Sequence, residues 1–319
     1  MAIGHVEAQA ADPMVVSSPQ LRVGVVGAGA WAGEIHVPVL CAHPGVSLVG
    51  IWNHNPQRAK ALAEAYSTTA FDSYDAMLEA VDVVSFAVPP DAQPALAQKA
   101  ALSGRHLLLE KPIAFSLADG EALVDFIAKA NVASIVFFTR RFEAEVAKEL
   151  AAIAEARNWQ GATARFFSGA MLPGTPYTNS VWRQRRGALW DIGPHALSVL
   201  LPILGNVVAV EAKRQEPKIT LLRLTHVNGG QSDVALSFHA EPAAQGESYC
   251  FRSGSQTATV DVRPARRRGA FHHAVDALIT AAKTGAPHSC DVRFGLRVLQ
   301  ILVAAESSLQ RGVAVPVVA

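Results

Sequence analysis

The segment LWDIGPHALSVL, residues 189–200, contains an aspartate and a histidine in front of an apolar run. Asp191 and His195 are four residues apart, and on a helix this spacing places two side chains on one face. An imidazole titrates in the range needed to take a proton from an alcohol, and a nearby carboxylate can orient it or bind a substrate hydroxyl. Gly193 and Pro194 suit a turn that opens a helix. The pattern indicates acid–base chemistry; the alternative is a helix-capping aspartate with a structural histidine.

A lysine follows a predicted strand in the first half of the chain. Lys111 lies just past RHLLLE, at the carboxyl edge where α/β sheets bind ligands. An ammonium there can stabilise negative charge developing on a reacting oxygen. Two arginine-rich segments, TRRF at 139–142 and VWRQRR at 181–186, are expected near the same cleft, although exposed loop arginines are the alternative for most of them. The candidate substrate contacts from these segments are Arg141, Trp182 and Arg183.

Glycines follow the first apolar strand directly, in LRVGVVGAGAWAGEIH. The spacing is G-x-G-x-x-A, in which the first glycine allows a tight turn and the second lets the backbone approach a pyrophosphate at a helix N-terminus. The strand–turn–helix setting favours a dinucleotide site over an ordinary glycine-rich turn. The candidate cofactor contacts in this turn and after the neighbouring strands are Gly27, Gly29, Ala30, Trp31, Ala32, Val88, Pro89, Glu110 and Lys111.

The second predicted strand ends in IWNHNPQR, where dinucleotide folds usually carry an acidic residue for the ribose 2′-hydroxyl. Asn53 occupies that place, and a neutral amide does not repel a 2′-phosphate. His54 and Arg58 could add positive charge. These residues slightly favour NADP over NAD, but Asn53 can also bind a ribose hydroxyl and Arg58 can be an ordinary exposed helix residue.

Strands and helices alternate through the first half of the chain. This pattern predicts right-handed crossovers and a doubly wound parallel sheet, a Rossmann domain over residues 21–139. In residues 140–319 a long amphipathic helix is followed by six strand-like runs and two closing helices. Consecutive strands predict a second α/β domain with an open, mostly antiparallel sheet. We expect the last helix to pack back on the Rossmann domain.

Composition narrows the range of functions. The chain has 319 residues and a net charge of +1, from 28 basic and 27 acidic residues, which gives no reason to expect binding to nucleic acid or to an anionic membrane. Three widely spaced cysteines form neither a disulfide framework nor a zinc pattern, so we expect a cytoplasmic protein. Residues 1–20 read as a mobile tail without the features of a signal peptide.

Two further motifs have plain interpretations. RPARRR at 263–268 has no interleaved aromatic residues, so a solvated loop is expected. His272 and His273 are adjacent on a predicted helix and point in different directions, and no metal site is expected.

Three segments together resemble the Gfo/Idh/MocA family of oxidoreductases: VGVVGAGAWAGEIH, GRHLLLEKP and GALWDIGPH. The closing segment DVRFGLRVLQILVAAESSLQRGVAV also resembles that family. The resemblance implies a nicotinamide held between a Rossmann domain and an open sheet, and a small-molecule substrate, a sugar, cyclitol or related polyol. It also implies a homodimer or homotetramer that packs through the sheets, and a cis Lys111–Pro112 bond. The family's catalytic lysine, aspartate and histidine fall on Lys111, Asp191 and His195.

Two positions depart from the family pattern. Ser198 stands where an aspartate often follows the histidine, and Gln93 stands where a histidine often follows the strand VDVVSFAVPP. Two other functions stay open. One is an NAD-dependent glycoside hydrolase of the same family, which would show no net cofactor turnover. The other is a non-catalytic dinucleotide-sensing regulator, which loss of the lysine or histidine would favour; here both are present.

Overall fold

The computed structural model describes residues 20–215, 218–254, 256–262 and 266–318. The expected N-terminal tail lies outside these residues except for Gln20, and residues 263–265 of RPARRR lie outside them as well. Within the described residues the chain forms two β-sheets, each covered by helices.

The first sheet has six parallel strands in the order β3-β2-β1-β4-β5-β6. This is the strand order of a dinucleotide-binding Rossmann fold, so the predicted doubly wound sheet is confirmed. The strands are β1 Leu21–Val26, β2 Val46–Trp52, β3 Thr69–Ala70, β4 Val83–Phe86, β5 His106–Leu109 and β6 Ser134–Val136. The helices between them are α1 Val37–Ala42, α2 Pro56–Ala65, α3 Tyr74–Ala80, α4 Gln93–Leu102 and α5 Leu117–Ala130.

The second sheet has seven strands in the order β12-β11-β7-β10-β9-β8-β13. Strands β7 and β10 are parallel and the other neighbours are antiparallel, so the predicted open, mostly antiparallel sheet is also confirmed. The strands are β7 Gly161–Phe167, β8 Val207–Gln215, β9 Ile219–His226, β10 Gln231–Ser237, β11 Gly246–Arg252, β12 Thr257–Val262 and β13 Val315–Pro316. The helices are α6 Thr139–Phe142, α7 Ala144–Ala156, α8 Val181–Asp191, α9 Gly193–Leu204, α10 Arg267–Thr284 and α11 Val292–Arg311.

Local chemistry explains several element boundaries. The side chains of Asn55, Ser73 and Ser116 accept hydrogen bonds from the first turns of α2, α3 and α5, as expected of N-cap residues. The helix predicted directly after the glycine turn instead begins as a π-helical turn, Ala32–His36, and continues as α1. The long amphipathic helix predicted from Phe142 is α7, and it begins only at Ala144 because Glu143 adopts an extended backbone after the short helix α6.

Helix α9 and the last turn of α8 form the buried centre of the second half of the chain. Together, Val181–Leu204 is the one described segment that is long and apolar enough to cross a membrane, but 78% of its apolar window is buried inside the fold, as in the core helix of a folded domain. Helix α11 packs against β8 of the second sheet and against α5 and β6 of the first half. A Cβ on Gly295 would lie 2.7 Å from Ile113 Cγ2, and one on Gly120 of α5 would lie 2.5 Å from Leu299 Cδ2.

Candidate active site

Lys111 and Asp191 meet where the first half of the chain contacts the second half. Lys111 follows β5, and its Nζ donates hydrogen bonds to the Asp191 backbone oxygen at 2.7 Å and to Asp191 Oδ1 at 3.0 Å. Arg183, near the start of α8, donates from Nε to Asp191 Oδ2 at 3.0 Å. Each carboxylate oxygen of Asp191 therefore has one cationic partner, and the pair Lys111–Asp191 is largely withdrawn from solvent.

These two cations decide the charge of Asp191. Burial alone would raise the pKa of this carboxyl, but the Lys111 ammonium and the Arg183 guanidinium hold it well below the usual range. Asp191 is thus an anion at any physiological pH, and its oxygens are positioned to accept hydrogen bonds.

His195 lies beside this pair in the first turn of α9. The sequence left two roles open for Asp191, orienting the imidazole or binding a substrate hydroxyl, and among the described residues its carboxylate is hydrogen-bonded to Lys111 and Arg183 and not to His195. The helices change at Ile192, so Asp191 ends α8 and turns to Lys111, whereas His195 belongs to the next helix. His195 Nδ1 is buried and has no hydrogen-bond partner among the described residues. Gly193 and Pro194 do open α9, as expected.

The surroundings keep His195 neutral. Burial lowers the pKa of its imidazole well below the ordinary value, and the Lys111 and Arg140 cations lower it further, against the opposing effect of Asp191. A neutral imidazole with an unpartnered nitrogen can accept a proton or a hydrogen bond from a ligand in the cleft.

Sequence reasoning missed Arg140. It chose the neighbouring Arg141, but the structure places Arg140 behind the histidine, with its Cζ 5.3 Å from the Phe166 ring, which lies 6.2 Å from the His195 ring. Arg140 is buried and donates two hydrogen bonds to Glu247 Oε2, at 2.8 and 2.6 Å. The partner is 107 residues away along the chain, so local spacing carried no signal for this pair.

The three predicted substrate contacts have different surroundings. Arg183 binds Asp191 and stacks on Tyr177 and Trp182, with its Cζ 4.7 and 4.4 Å from the two ring centroids. Trp182 is half-buried beside the same cleft. Arg141 instead contacts the protein itself. Its Nη1 donates a hydrogen bond to the Ser198 backbone oxygen at 3.3 Å, and its Cζ lies 5.6 Å from the centre of the Phe294 ring.

The glycine turn has the shape that a dinucleotide needs. Gly27 has φ +116°, and a Cβ there would lie 2.3 Å from the Ala87 backbone oxygen, so only glycine fits. A Cβ on Gly29 would meet nothing within 4 Å, because the residue faces open space. Ala32 is fully buried where the helix packs on the sheet. Open backbone at the N-terminus of a helix fits a pyrophosphate, which the backbone N–H groups of this turn would hold.

The other predicted cofactor contacts lie near this turn, but the side chain of Glu110 is engaged within the protein. Gly27 packs against Val88, which brings Val88 and Pro89 next to the turn, and Ala30 and Trp31 continue it. Glu110 does not present a free carboxylate: it accepts hydrogen bonds from the Trp31 indole at 2.6 Å and from the Lys111 backbone at 3.2 Å.

At the end of β2, Asn53 is largely buried and its Oδ1 accepts a hydrogen bond from the Asn55 N–H at 3.1 Å. His54 and Arg58 are exposed on the same turn and helix.

A family model for oxidoreductases with an NAD-binding Rossmann fold, GFO_IDH_MocA, matches residues 21–138. Over these residues the chain is similar to the Gfo/Idh/MocA oxidoreductases. The resemblance seen in the sequence motifs is thereby confirmed.

The sequence similarity to named relatives covers somewhat more than half of the chain. Over 193 residues it is 31% identical to a dTDP-3,4-didehydro-2,6-dideoxy-alpha-D-glucose 3-reductase of Streptomyces antibioticus, covering 59% of this chain and 58% of that protein. Over 196 residues it is 30% identical to D-glucoside 3-dehydrogenase of Escherichia coli (strain K12), covering 60% of this chain and 56% of that protein. The chain therefore spans little more than half of the length of these relatives.

One solved structure shows that the likeness of fold extends further. GenD2 from gentamicin A biosynthesis, crystallised in complex with NAD, has a TM-score of 0.84 to this chain at 20% identity, covering 99% of this chain and 100% of that one. At this identity the match establishes the shared fold.

The two departures from the Gfo/Idh/MocA pattern have structural explanations. Gln93 is fully buried and pairs with the backbone of Glu110, donating to its carbonyl oxygen and accepting from its N–H, both at 2.8 Å. Ser198 is buried in α9, and its hydroxyl donates to the His195 carbonyl at 2.7 Å. Neither side chain is free to bind a substrate. The Lys111–Pro112 bond is cis, as the resemblance implied.

Arg267 and Arg268 of RPARRR are exposed, as expected, but they lie on α10 beside the glycine turn and not in a loop. Arg267 begins α10 with its Cζ 5.7 Å from the Trp31 ring centroid, and Arg268 Nε donates to the Glu34 backbone oxygen at 2.9 Å. Tyr177 reaches the same place, where its hydroxyl lies 3.4 Å from Glu34 Oε2.

A separate histidine cluster has the residue types of a metal site. His43 Nε2 lies 3.1 Å from Asp276 Oδ1, and His272 Nδ1 lies 3.1 Å from Asp276 Oδ2. His43 Nδ1 accepts a hydrogen bond from the Gly45 N–H at 3.1 Å, so in the neutral ring Nε2 carries the proton and donates it to Asp276. A metal on Nε2 would place the proton on Nδ1, facing a second donor, and the cluster therefore fits a hydrogen-bonded link better than a metal site.

Proposed function

We propose that this protein is an NAD(P)-dependent oxidoreductase that transfers hydride between a nicotinamide and a carbinol or carbonyl carbon of a sugar, cyclitol or similar small polyol. The observation that carries the proposal is the meeting of a neutral, half-buried His195, whose Nδ1 is buried and unpartnered, with the Lys111–Asp191 pair, beside the open turn Gly27–Ala32. The names of the two relatives, a 3-reductase of a dTDP-sugar and a D-glucoside 3-dehydrogenase, support this substrate class.

Each side chain has a separate task in the proposed reaction. In alcohol oxidation the neutral imidazole of His195 takes the hydroxyl proton, and in carbonyl reduction it returns that proton. The Lys111 ammonium donates a hydrogen bond to the reacting oxygen and stabilises negative charge there. Asp191 holds Lys111 and accepts a hydrogen bond from a neighbouring substrate hydroxyl. The nicotinamide, when bound, accepts or supplies the hydride.

The two halves of the chain have different roles in the proposed reaction. We propose that residues 21–139 hold the dinucleotide, and that residues 140–319 supply Asp191, His195 and the substrate contacts Trp182 and Arg183. The three cysteines are free, which fits the proposed reducing cytoplasm.

His195 provides the direct test of this proposal. Loss of positioned acid–base catalysis typically costs about 10²–10⁴ in rate, so His195→Ala should lower turnover by about that factor while NADH or NADPH still binds in a fluorescence titration. His195→Asn keeps a polar group that cannot titrate and should show a similar loss. The matched control is His272→Ala, a half-exposed histidine that lies away from Lys111 and Asp191.

A folded, dinucleotide-bound His195→Ala protein with near-normal turnover on a polyol that the wild type oxidises would refute the assignment. Measuring net NAD(P)H formation in the wild type also separates this function from a glycoside hydrolase, which would show none.

A further inference from the structure

A buried hydrogen-bond cluster connects the glycine turn to the residue before Lys111. Glu110 Oε1 accepts hydrogen bonds from Trp31 Nε1 at 2.6 Å and from His36 Nε2 at 3.2 Å. Glu110 Oε2 accepts from the backbone N–H of Lys111 at 3.2 Å. Both oxygens of the carboxylate are therefore engaged within the protein.

The acceptor chemistry fixes the direction of these bonds. An ionised carboxylate only accepts, so His36 Nε2 must donate its proton to Glu110. In the neutral ring His36 Nδ1 is then the acceptor for the Ser85 hydroxyl, 2.9 Å away. His36 is 1% exposed and Ser85 is 0% exposed. His36 thus uses both ring nitrogens inside the core, and it fixes one side of the Glu110 carboxylate to β4.

The main chain around Glu110 is held independently of this cluster. Gln93 pairs with both the N–H and the carbonyl of Glu110, so the backbone stays in place whatever the side chain does. The carboxylate is the group that joins Trp31, inside the glycine turn, to the Lys111 N–H. Lys111 Nζ in turn holds Asp191.

We propose that Glu110 is a positioning residue that transmits the state of the turn Gly27–Ala32 to Lys111, with His36 as its buried anchor. The inference rests on the proposed function and changes the role expected for Glu110, from a cofactor contact to a link. Glutamine cannot replace it, because an amide offers one acceptor oxygen. Its NH₂ group would have to face either the Trp31 and His36 donors or the Lys111 N–H donor.

Hydrogen exchange tests the link without any turnover. NADH added to the wild-type protein should slow amide exchange in two peptides, one containing residues 27–33 and one containing residues 110–113. In Trp31→Phe, which keeps an aromatic ring but loses the indole donor, NADH should still protect the first peptide but leave the second nearly unchanged. Trp159→Phe is the matched control, since it removes another buried indole hydrogen bond, to the Ile153 carbonyl, away from the cleft.

A kinetic cycle gives the second measurement. Displacement of a catalytic group by about 1 Å can cost about 10²-fold, so Glu110→Gln and Trp31→Phe should each lower kcat, by up to about that factor, more than they raise the Kd for NADH. If both act through one hydrogen bond, the double variant should be no slower than the slower single variant. His36→Asn should lower kcat in the same direction.

The outcomes separate the two proposals. If NADH does not protect residues 27–33, the dinucleotide site itself is wrong. If it protects them but Trp31→Phe leaves the protection of residues 110–113 as in wild type, or the two substitutions multiply in kcat, the link through Glu110 is overturned. A fall in thermal stability of Trp31→Phe equal to that of Trp159→Phe, with normal kcat, would also overturn it, because it indicates a purely structural bond.

Discussion

At the scale of single residues, Asp191 and His195 have opposite environments although they are four positions apart. Asp191 is bound by two cations, whereas His195 has an unpartnered Nδ1 and a lowered pKa. The residue types and their nearness were predictable from the motif. The partners were not, because Lys111 is 80 residues from Asp191 and the chain changes helix at Ile192.

The lowered pKa of His195 sets the expected pH dependence. Because the neutral form must accept the proton in oxidation, kcat/KM for the alcohol should fall on the acid side only below pH 6.5, the ordinary pKa of the imidazole. Reduction needs the protonated form, so its rate should rise as pH falls through the same range. Both directions can be followed by NAD(P)H absorbance.

Removing the charge of Arg267 tests the pKa of His195 without changing Lys111, Asp191 or His195. Its cation contributes to the lowering of the His195 pKa, so Arg267→Ala should move the acid limb towards higher pH. An acid limb that stays in place in His195→Asn would assign the titration to another group and contradict the prediction.

Asn53 determines the expected cofactor preference. A neutral amide at the end of β2 does not repel a 2′-phosphate, so the wild type should bind NADPH modestly more tightly than NADH. Asn53→Asp should reverse the order in titrations with both dinucleotides, and Asn55→Asp, an equal charge change at the N-cap of α2, should shift it less. Tenfold tighter binding of NADH by the wild type, about 1.4 kcal/mol, would show that the preference is wrong.

At the scale of elements, the strand–turn–helix unit of β1 was the most predictable part of the site. The positive φ of Gly27 and the open face of Gly29 are what the G-x-G-x-x-A spacing implies. The π-helical turn was not predictable, because apolar spacing does not separate it from the first turn of an α-helix. It places His36 under β4, next to Glu110.

The two glycines of the turn should respond differently to a side chain. Gly29→Val should leave the free energy of unfolding within about 0.5 kcal/mol, because a Cβ there meets no atom within 4 Å. The same side chain occupies the space of the pyrophosphate, so the Kd for the dinucleotide should rise at least about tenfold, 1.4 kcal/mol. Gly27→Ala should instead lower stability, by about 1 kcal/mol or more, because of its φ and its contact with Ala87. Unchanged cofactor affinity in folded Gly29→Val would contradict the site.

At the scale of the whole molecule, the alternation of strands and helices in the first half and the run of strands in the second predicted both sheets. The contacts between the two halves of the chain could not be predicted from the sequence. Arg267 and Arg268 read as a loop, yet they lie against the glycine turn, because long-range packing and not local pattern places them. Arg140 was missed for the same reason, since its partner Glu247 is on a strand that follows 107 residues later.

The outer face of the second sheet is the expected surface for self-association. It forms a shallow cavity of about 470 Å³ with both signs of charge, from Arg165, Glu211, Lys213, Arg223 and Asp233, around apolar Leu221. A surface with both signs can be self-complementary across a two-fold axis. Leu221→Arg should convert a dimer or tetramer to smaller species in sedimentation experiments, whereas Leu102→Arg, the same change on exposed α4, should not. A monomeric wild type would contradict this proposal.

Helix α11 should make the stability of the two halves interdependent, through the contact of Gly295 with the segment that follows Lys111. A Cβ at this position would lie 2.7 Å from Ile113 Cγ2 and 3.1 Å from Val136 Cγ2. Both neighbours are buried and β-branched, so they cannot rotate away at little cost. Gly295→Ala should therefore destabilise the protein by about 1–3 kcal/mol, the usual cost of overpacking, in spite of the better helix propensity of alanine.

Gly269 is the matched control for this substitution. It lies on α10, and a Cβ there meets nothing within 4 Å, so Gly269→Ala should stabilise the protein by about 0.5–1 kcal/mol. Urea unfolding of the two variants gives both free energies. Because Ile113 follows Lys111 so closely, Gly295→Ala should also lower kcat at a temperature where the variant is fully folded, whereas Gly269→Ala should not. Equal effects of the two substitutions on stability would show that α11 does not press on the Lys111 segment as the structure describes.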